Sequence, residues 1–399
     1  MYLHRAGQLA GSLLGALLIC PGIAKGQFSP APGSPIFTYS PPPEQIAVGD
    51  FNNDGKLDLV VVANYFSHQS VLLGNGSGGF SPSAGTLPFA AGARSVTVAD
   101  FNHDGNLDLA FTSDSGAVWV CLGDGSGAFS VAPGGPILIS GVGGISFYSE
   151  IPIAAGDFNQ DGKIDLIVAH GSDTLATILL GDGEGGFSPA GTVDLKVYPL
   201  DLQLGDFNND GKLDIVVSGG FDPPLEVEGL LTIFLGDGAG GFTAAPGGSV
   251  RFNASLMALG DFNRDRNLDI AAGGTIFLGN GLGGVIAANT VAVASAGSVV
   301  AADFNRDGKL DLAFTNPADN SVSIMFGDGA GGFAAAPGSP FALPPVYNAT
   351  GPGPIVEGDF NGDGKPDLAI MDYIPGSITV MLNSYASPSI HPKRPRGQN

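Results

Sequence analysis

The sequence predicts an all-β fold: a seven-bladed β-propeller of four-stranded antiparallel blades, its ring closed by the N-terminal strand completing the last blade. Three observations predict it. A nine-residue acidic motif occurs seven times. Its copies start 42–57 residues apart, wider than a solenoid coil of about 20–30 residues and suited to a four-stranded blade. The last unit lacks a final strand, and a matching strand stands at the other end of the chain. Composition agrees: 64 Gly and 29 Pro, without a three-residue period and beside 44% hydrophobic residues, fit a turn-rich globular β protein.

Each unit opens with a strand that runs into the motif Asp-x-Asn-x-Asp-Gly-x-x-Asp. Its polar positions are Asp50, Asn52, Asp54 and Asp58 in the first unit and Asp100, Asn102, Asp104 and Asp108 in the second. They are Asp157, Asn159, Asp161 and Asp165 in the third, and Asp206, Asn208, Asp210 and Asp214 in the fourth. The fifth has Asp261, Asn263, Asp265 and Asp269, and the sixth Asp303, Asn305, Asp307 and Asp311. The seventh has Asp359, Asn361, Asp363 and Asp367.

A short β-branched run follows each motif, as at 59–62 (Leu-Val-Val-Val) and 215–217 (Ile-Val-Val), and reads as a buried second strand. A third run ends in Gly-Asp-Gly or Gly-Asn-Gly, a hairpin signal, as at 178–183 and 71–76. Most units then show Gly-Gly-Phe, as at Gly78-Gly79-Phe80, and a fourth strand rich in Pro and Ala. We call these strands a to d, with the acidic loop between a and b. The seventh unit stops after strand c. Residues 28–35 (Phe-Ser-Pro-Ala-Pro-Gly-Ser-Pro) match 333–340 (Phe-Ala-Ala-Ala-Pro-Gly-Ser-Pro), so the N-terminus supplies the missing strand d. Closing the ring protects edges that an open array would expose.

The acidic loop predicts Ca²⁺. Positions 1, 3 and 5 present short oxygen-bearing side chains from a tight turn, position 7 can offer a carbonyl, and position 9 adds a carboxylate. Gly at position 6 allows the bend, as in an EF-hand loop. Oxygen donors without Cys or His select calcium over zinc or copper. The seven loops hold 21 of the 38 acidic residues, a density that is costly without a neutralising cation. Up to seven ions are expected, in structural rather than catalytic sites.

These units resemble the FG-GAP/VCBS repeats of bacterial exported proteins and of the integrin α-subunit propeller, over about residues 27–385. The resemblance implies the propeller fold and Ca²⁺ at the Asp and Asn positions named above. It implies no single activity, since the family includes interaction modules and some polysaccharide lyases. The fifth unit departs from the pattern. Arg266 replaces the loop Gly and Val285 replaces the Phe of Gly-Gly-Phe, so its site is expected to be the weakest or empty.

Residues 1–26 read as a secretory signal, with Arg5, a short apolar run to Cys20, and Ala24-Lys25-Gly26 before the cut. A secreted, periplasmic or extracellular location follows. No later run is long enough for a membrane helix. The chain after the cut keeps one cysteine, Cys121, so metal is the expected staple in place of disulfides. Residues 386–399 read as a disordered basic tail. The formal charge of −22 opposes nucleic acid as a partner, and a monomer is expected.

Connectivity places the a–b and c–d loops on one face and the irregular b–c and d–a loops on the other, where binding is expected. Tyr39, Tyr65, Tyr148, Tyr198, Tyr347 and Tyr373, with Phe66, Phe147 and Phe221 nearby, form the candidate surface. Tyr2 and Tyr385 are terminal. The expected role is an adhesion, interaction or scaffold module for an extracellular protein or glycan. The alternatives are a lectin-like carbohydrate-binding protein and, behind it, a polysaccharide-active lyase. His68, His103, His170 and His391 show no legible nucleophile–base pairing, and Trp119, expected on a strand c, gives little support to sugar stacking.

Overall fold

A computed structural model of the chain describes residues 27–37, 43–63, 70–85, 87–88, 92–139, 151–220, 229–252, 256–293, 297–345, 351–372 and 376–386. The expected signal segment 1–26 and the tail beyond residue 386 lie outside the described residues. Seven antiparallel sheets follow one another along the chain in the order a-b-c-d. Blade 1 is Pro43–Gly49, Asp58–Ala63, Ser70–Gly74 and Phe80–Pro82. Blades 2 to 6 repeat it, from Ala93–Ala99 in blade 2 to Phe333–Ala335 in blade 6. In blade 7, Pro352–Gly358, Asp367–Asp372 and Ser377–Asn383 are joined by Phe28–Pro30 as strand d. The a strands stand side by side around the axis, and the last of them, Pro352–Gly358, packs against the first, Pro43–Gly49. The one helical element among the described residues is the 3₁₀ turn Pro317–Asp319, so none is long and apolar enough to cross a membrane.

The b strands carry the core. Asp108–Ser113, Asp311–Asn316 and Asp367–Asp372 are buried at every position. That follows from their place between strands a and c and between neighbouring blades: both faces meet protein, so the run is apolar without alternation. Blade 5 is the shortest. Gly273 (φ 54°) and Gly274 (φ 77°) turn its b–c hairpin in two residues, a turn that needs positive φ at both. That accounts for the 42-residue spacing to the next motif.

Blades are joined through the repeated motif residues. The Phe opening strand d packs edge-to-face on the loop Phe of the preceding blade: Phe129 on Phe51, Phe187 on Phe101, Phe242 on Phe158 and Phe333 on Phe262, at 5.5–5.9 Å. Phe80 on Phe360 joins blade 1 to blade 7 in the same way, at 5.6 Å. Each such pair contributes about 0.5–1.5 kcal/mol beyond the area it buries. A glycine N–H of the c–d turn donates to the carbonyl of that same loop Phe, as from Gly78 to Phe360 and from Gly127 to Phe51, both 2.9 Å. In blade 5, Val285 has no ring to offer Phe207, and only the glycine bond, Gly283 to Phe207, remains.

A second inter-blade contact explains a glycine. The residue before each acidic loop is Gly49, Gly156, Gly205, Gly260 or Gly358 in five blades. A β-carbon on any of these would stand 2.4–2.8 Å from the Leu at loop position 8 of the next blade: Leu107, Leu213, Leu268, Leu310 or Leu57. In the other two blades the residue is Ala99 or Ala302, and position 8 of the following blade is Ile164 or Pro366 instead of Leu. The pair therefore varies together. Gly205→Ala is expected to destabilise by about 1–3 kcal/mol through overpacking. Adding Leu268→Ile, which recreates the Ala99/Ile164 pair, should recover a measurable part in a double-mutant cycle. Additive losses in urea unfolding would show that the two residues do not interact.

Candidate functional site

The seven acidic loops fold alike. In the first, the N–H of Asp54 donates to Asp50 Oδ1 at 3.1 Å and Asn52 Oδ1 at 3.0 Å, and Gly55 N–H donates to Asp50 Oδ2 at 2.8 Å. Lys56 N–H donates to Asp54 Oδ1 at 3.0 Å. The same four bonds recur in every loop, including the last, where Asp363, Gly364 and Lys365 are the donors. The oxygens of positions 1 and 3 thus share one backbone donor, which holds them together on the inside of the turn.

Position 9 also has a structural role that the sequence reading did not include. Asp58, Asp108, Asp165, Asp214, Asp269, Asp311 and Asp367 are fully buried. In each, Oδ2 accepts the N–H of the loop Phe, as Phe51 to Asp58 at 2.9 Å. Oδ1 accepts the N–H of the residue ending strand c, as Gly74 to Asp58 at 2.7 Å. This carboxylate therefore ties the loop to strand c, a partner 10 to 22 residues away. The sequence carried the signal: the Gly before Asp-Gly or Asn-Gly is more than a hairpin residue. A β-carbon on Gly74 would meet the carbonyl of Leu57 at 2.1 Å, and the other five such glycines repeat this at 2.1–2.3 Å. Blade 7 uses Asn383, whose N–H still reaches Asp367 at 2.7 Å while its side-chain amide donates to the carbonyls of Pro366 and Phe304.

Electrostatics single out the same residue. Burial pushes Asp311 and Asp367 up to about 7, and Asp108 and Asp269 up to about 6. The backbone donors oppose the rise and the other loop carboxylates add to it. Lys56, Lys309 and Lys365 each pair with the position-5 Asp of their own loop, at 2.8, 3.2 and 3.3 Å. The donor set, hard oxygens around a buried position-9 carboxylate, fits a divalent cation such as calcium. Among the described residues, no three Asp, Glu, His or Cys side chains already stand gathered around one point. The loop backbone is wound, but the carboxylates are turned to its amides.

The fifth loop keeps the fold without its glycine. Arg266 takes φ 74°, and its N–H still donates to Asp261 Oδ2 at 2.9 Å. The arginine is exposed and pairs with none of the loop carboxylates, so it does not stand in for an ion. Left-handed backbone at a side-chain-bearing residue costs about 1–2 kcal/mol. Arg266→Gly is expected to recover about 1 kcal/mol of that in urea unfolding. A loss of stability would show that the arginine makes contacts worth more than its strain. Neighbouring loops are also bridged: Asn53 donates to Asn106 at 2.8 Å and Asn209 to Asn267 at 2.9 Å.

Of the predicted aromatic surface, Tyr198 is described: it opens strand a of blade 4, half-buried. Tyr39, Tyr65, Tyr148, Tyr347, Tyr373, Phe66, Phe147 and Phe221 lie outside the described residues. Tyr385 is no loose terminus. It is buried against Phe28 and Phe326, and its hydroxyl donates to the carbonyl of Pro337 at 3.0 Å. Trp119 is on strand c of blade 2, as expected, and Cys121 is buried with its thiol pushed up to about 12 by burial. His170 is buried, with Nε2 2.8 Å from Thr177 Oγ1 and Nδ1 3.1 Å from Asp173, and closes the b–c end of blade 3. His103 is exposed at loop position 4, and His68 and His391 lie outside the described residues.

The sequence reading did not find the axial cavity of about 520 Å³ lined by the a strands. Its charged groups are Asp201 and Glu357, and no basic residue lines it. Asp201 Oδ2 accepts from Met257 N–H and Gln203 Nε2, and burial lifts its pKa to about 6. Asp201 and Glu357 sit more than a hundred positions apart, and only the ring brings them together.

Comparison with known proteins agrees with this geometry. No curated protein sequence matches the chain. Among the solved structures that share the fold are two of BBS1N in complex with ARL6DN, from crystals soaked with mercury and with lead. The first has a TM-score of 0.54 at 9% identity, over 89% of this chain and 95% of that one. The second has 0.53 at 9% identity, over 90% and 98%. The model of the FG-GAP-like repeat matches residues 50–111, 104–168, 157–217 and 303–370, more than half of the chain. The matches leave out 218–302, the stretch that holds the divergent blade 5. With seven acidic loops at the same place in seven blades, the chain belongs to the FG-GAP-like repeat family.

Proposed function

We propose that this propeller is an exported, calcium-loaded interaction module acting outside the cell. A rigid ring that presents variable loops and outer edges is a scaffold for binding, and the family assignment supports that general role. The observation that carries calcium is the fully buried position-9 carboxylate of each loop, raised by burial and by the two further carboxylates beside it. A bound cation would neutralise three carboxylates per loop and hold strands a, b and c together through them. Positions 1, 3, 5 and 9 of each loop would supply the oxygens. Export is supported by the signal-like residues 1–26.

Calorimetric titration of the chelator-stripped protein with calcium tests the reading. Heat of binding to several sites per chain is expected, with the Arg266 loop weakest and strengthened in the Arg266→Gly variant. No calcium heat at all would remove the metal from the proposal. The fifth loop filling first would refute the argument from Arg266.

A further inference from the structure

We propose that the outer edge of blade 5 is a docking edge, to which an extended acidic peptide segment of a partner protein adds as a fifth strand. The proposal deepens the interaction-module reading and rests on it, but on neither calcium nor export.

The outermost strand of a propeller blade is an unpaired edge, and natural edges are blunted by proline or charge. Six of the seven blades here carry proline at the third or fifth residue of strand d. Pro30, Pro82 and Pro189 occupy the third position in blades 7, 1 and 3, and Pro133, Pro246 and Pro337 the fifth in blades 2, 4 and 6. Blade 5 has Ala287 and Asn289 in those places. The register is equivalent: Pro82 faces Leu72, Pro189 faces Leu179, and Ala287 faces Phe277. Proline at that position leaves strand d paired to strand c, so the amide there points away from the sheet. In blade 5 that amide keeps its hydrogen and faces outward.

The side chains differ in the same direction. Val285–Thr290 is exposed at every residue after the first. Ile286, 69% exposed, stands where other blades have Ser81, Ser130, Ser188, Thr243 or Ala334. Leu282, 72% exposed, stands where they have Ser77, Ser126, Glu184, Ala239 or Ala330. Between Ile270 and Ala302 there is no charged residue, so no gatekeeper charge guards the edge. The other two large exposed apolar side chains among the described residues, Phe37 and Leu138, lie on blades whose outer strand has proline.

Charge selects the partner. The chain is strongly acidic, yet Arg264 and Arg266 are exposed in the blade 5 loop and Arg306 in the next, none paired with a carboxylate among the described residues. Arg264 lies over the turn at Gly329 of blade 6. Asn289 of the free edge donates to the Gly331 carbonyl of that same turn, at 2.9 Å. The Arg264 side chain therefore borders the end of the edge. Backbone pairing would supply affinity, Ile286 and Leu282 apolar contact, and the arginines a preference for Asp or Glu beside the added strand.

The test uses the full chain without its signal segment and fluorescein-labelled peptides of alternating Thr and Val, flanked by Glu, flanked by Lys, or interrupted by Pro. The Glu-flanked peptide is expected to bind and to slow amide exchange over residues 285–290. The Lys-flanked peptide should bind about tenfold more weakly or worse, and the Pro-interrupted one not at all. Ala287→Pro, the residue blades 1, 3 and 7 already tolerate, should abolish binding with an unchanged melting midpoint. Binding that survives Ala287→Pro overturns the proposal, as does a complete lack of binding. Exchange protection on the b–c face instead overturns this edge while leaving the interaction-module reading standing. A dimer of the chain that Ala287→Pro dissociates would assign the edge to a second copy and also overturn it.

Discussion

Stripping calcium with a chelator is expected to lower the melting temperature by more than about 10 °C relative to the same sample at saturating calcium. The size follows from mass action. Extracellular oxygen-donor sites bind calcium at about 10⁻⁴–10⁻³ M, so at ~10 mM calcium each filled site stabilises the fold by about 1.4–2.7 kcal/mol. Several sites acting on one ring sum to many times that. The chain has no disulfide among its described residues to compensate, since Cys121 is free. Magnesium should do much less, because it demands a tighter octahedral shell and gives up water reluctantly. A melting temperature that is the same in chelator and in calcium would show that the seven loops are self-sufficient polar turns. Their internal bonds make that outcome physically possible: each loop already satisfies its carboxylates with backbone amides.

Deleting residues 27–40 is expected to make the protein aggregate where the parent chain does not. Residues 28–30 pair with strand c of blade 7, Phe28 opposite Asn383 and Pro30 opposite Met381. Further bonds extend the seam, from Ala31 N–H to the Val380 carbonyl at 2.8 Å and from Val380 N–H to Ser34 Oγ at 2.7 Å. Phe28 is 4% exposed and touches the rings of Phe304, Phe341 and Tyr385 at 5.6–5.9 Å. The deletion would therefore unpair an apolar strand, open a core cluster and cut the seam between the two ends of the chain. Phe28→Ala isolates the packing part and should cost about 3–5 kcal/mol in urea unfolding. A deletion variant as soluble and stable as the parent would mean that the ring is held by its other blade contacts alone.

Much of this was legible because the informative residues are local. Seven copies of a nine-residue loop declare seven blades, and the loop's internal bonds span no more than seven residues, so their spacing can be read directly. The closure was legible because residues 28–35 repeat 333–340 almost residue for residue, and both segments do fold alike, as Phe28–Pro30 with Ile36–Phe37 and as Phe333–Ala335 with Phe341–Ala342. Blade 5 announced its divergence through Arg266, Val285 and its short spacing.

The tertiary structure decided what depends on partners far apart in the chain. That the strand-d Phe of one blade meets the loop Phe of the blade before it, and that Gly205 must make room for Leu268, cannot be read from either residue alone. The partner is set by the angle at which neighbouring blades meet. The position-9 aspartates were read as ligands entering strand b. Only the packed sheet shows that each is buried and anchors strand c through a glycine amide. Asp201 and Glu357 share a cavity because seven a strands close around an axis. The free edge of blade 5 emerged only when its register was aligned with that of its neighbours. For the aromatic pairs, the Gly205–Leu268 contact and the axial cavity the deciding quantity is a distance across blades, which ring closure sets and local sequence does not encode; for the position-9 aspartates and the blade 5 edge it is strand register within the blade.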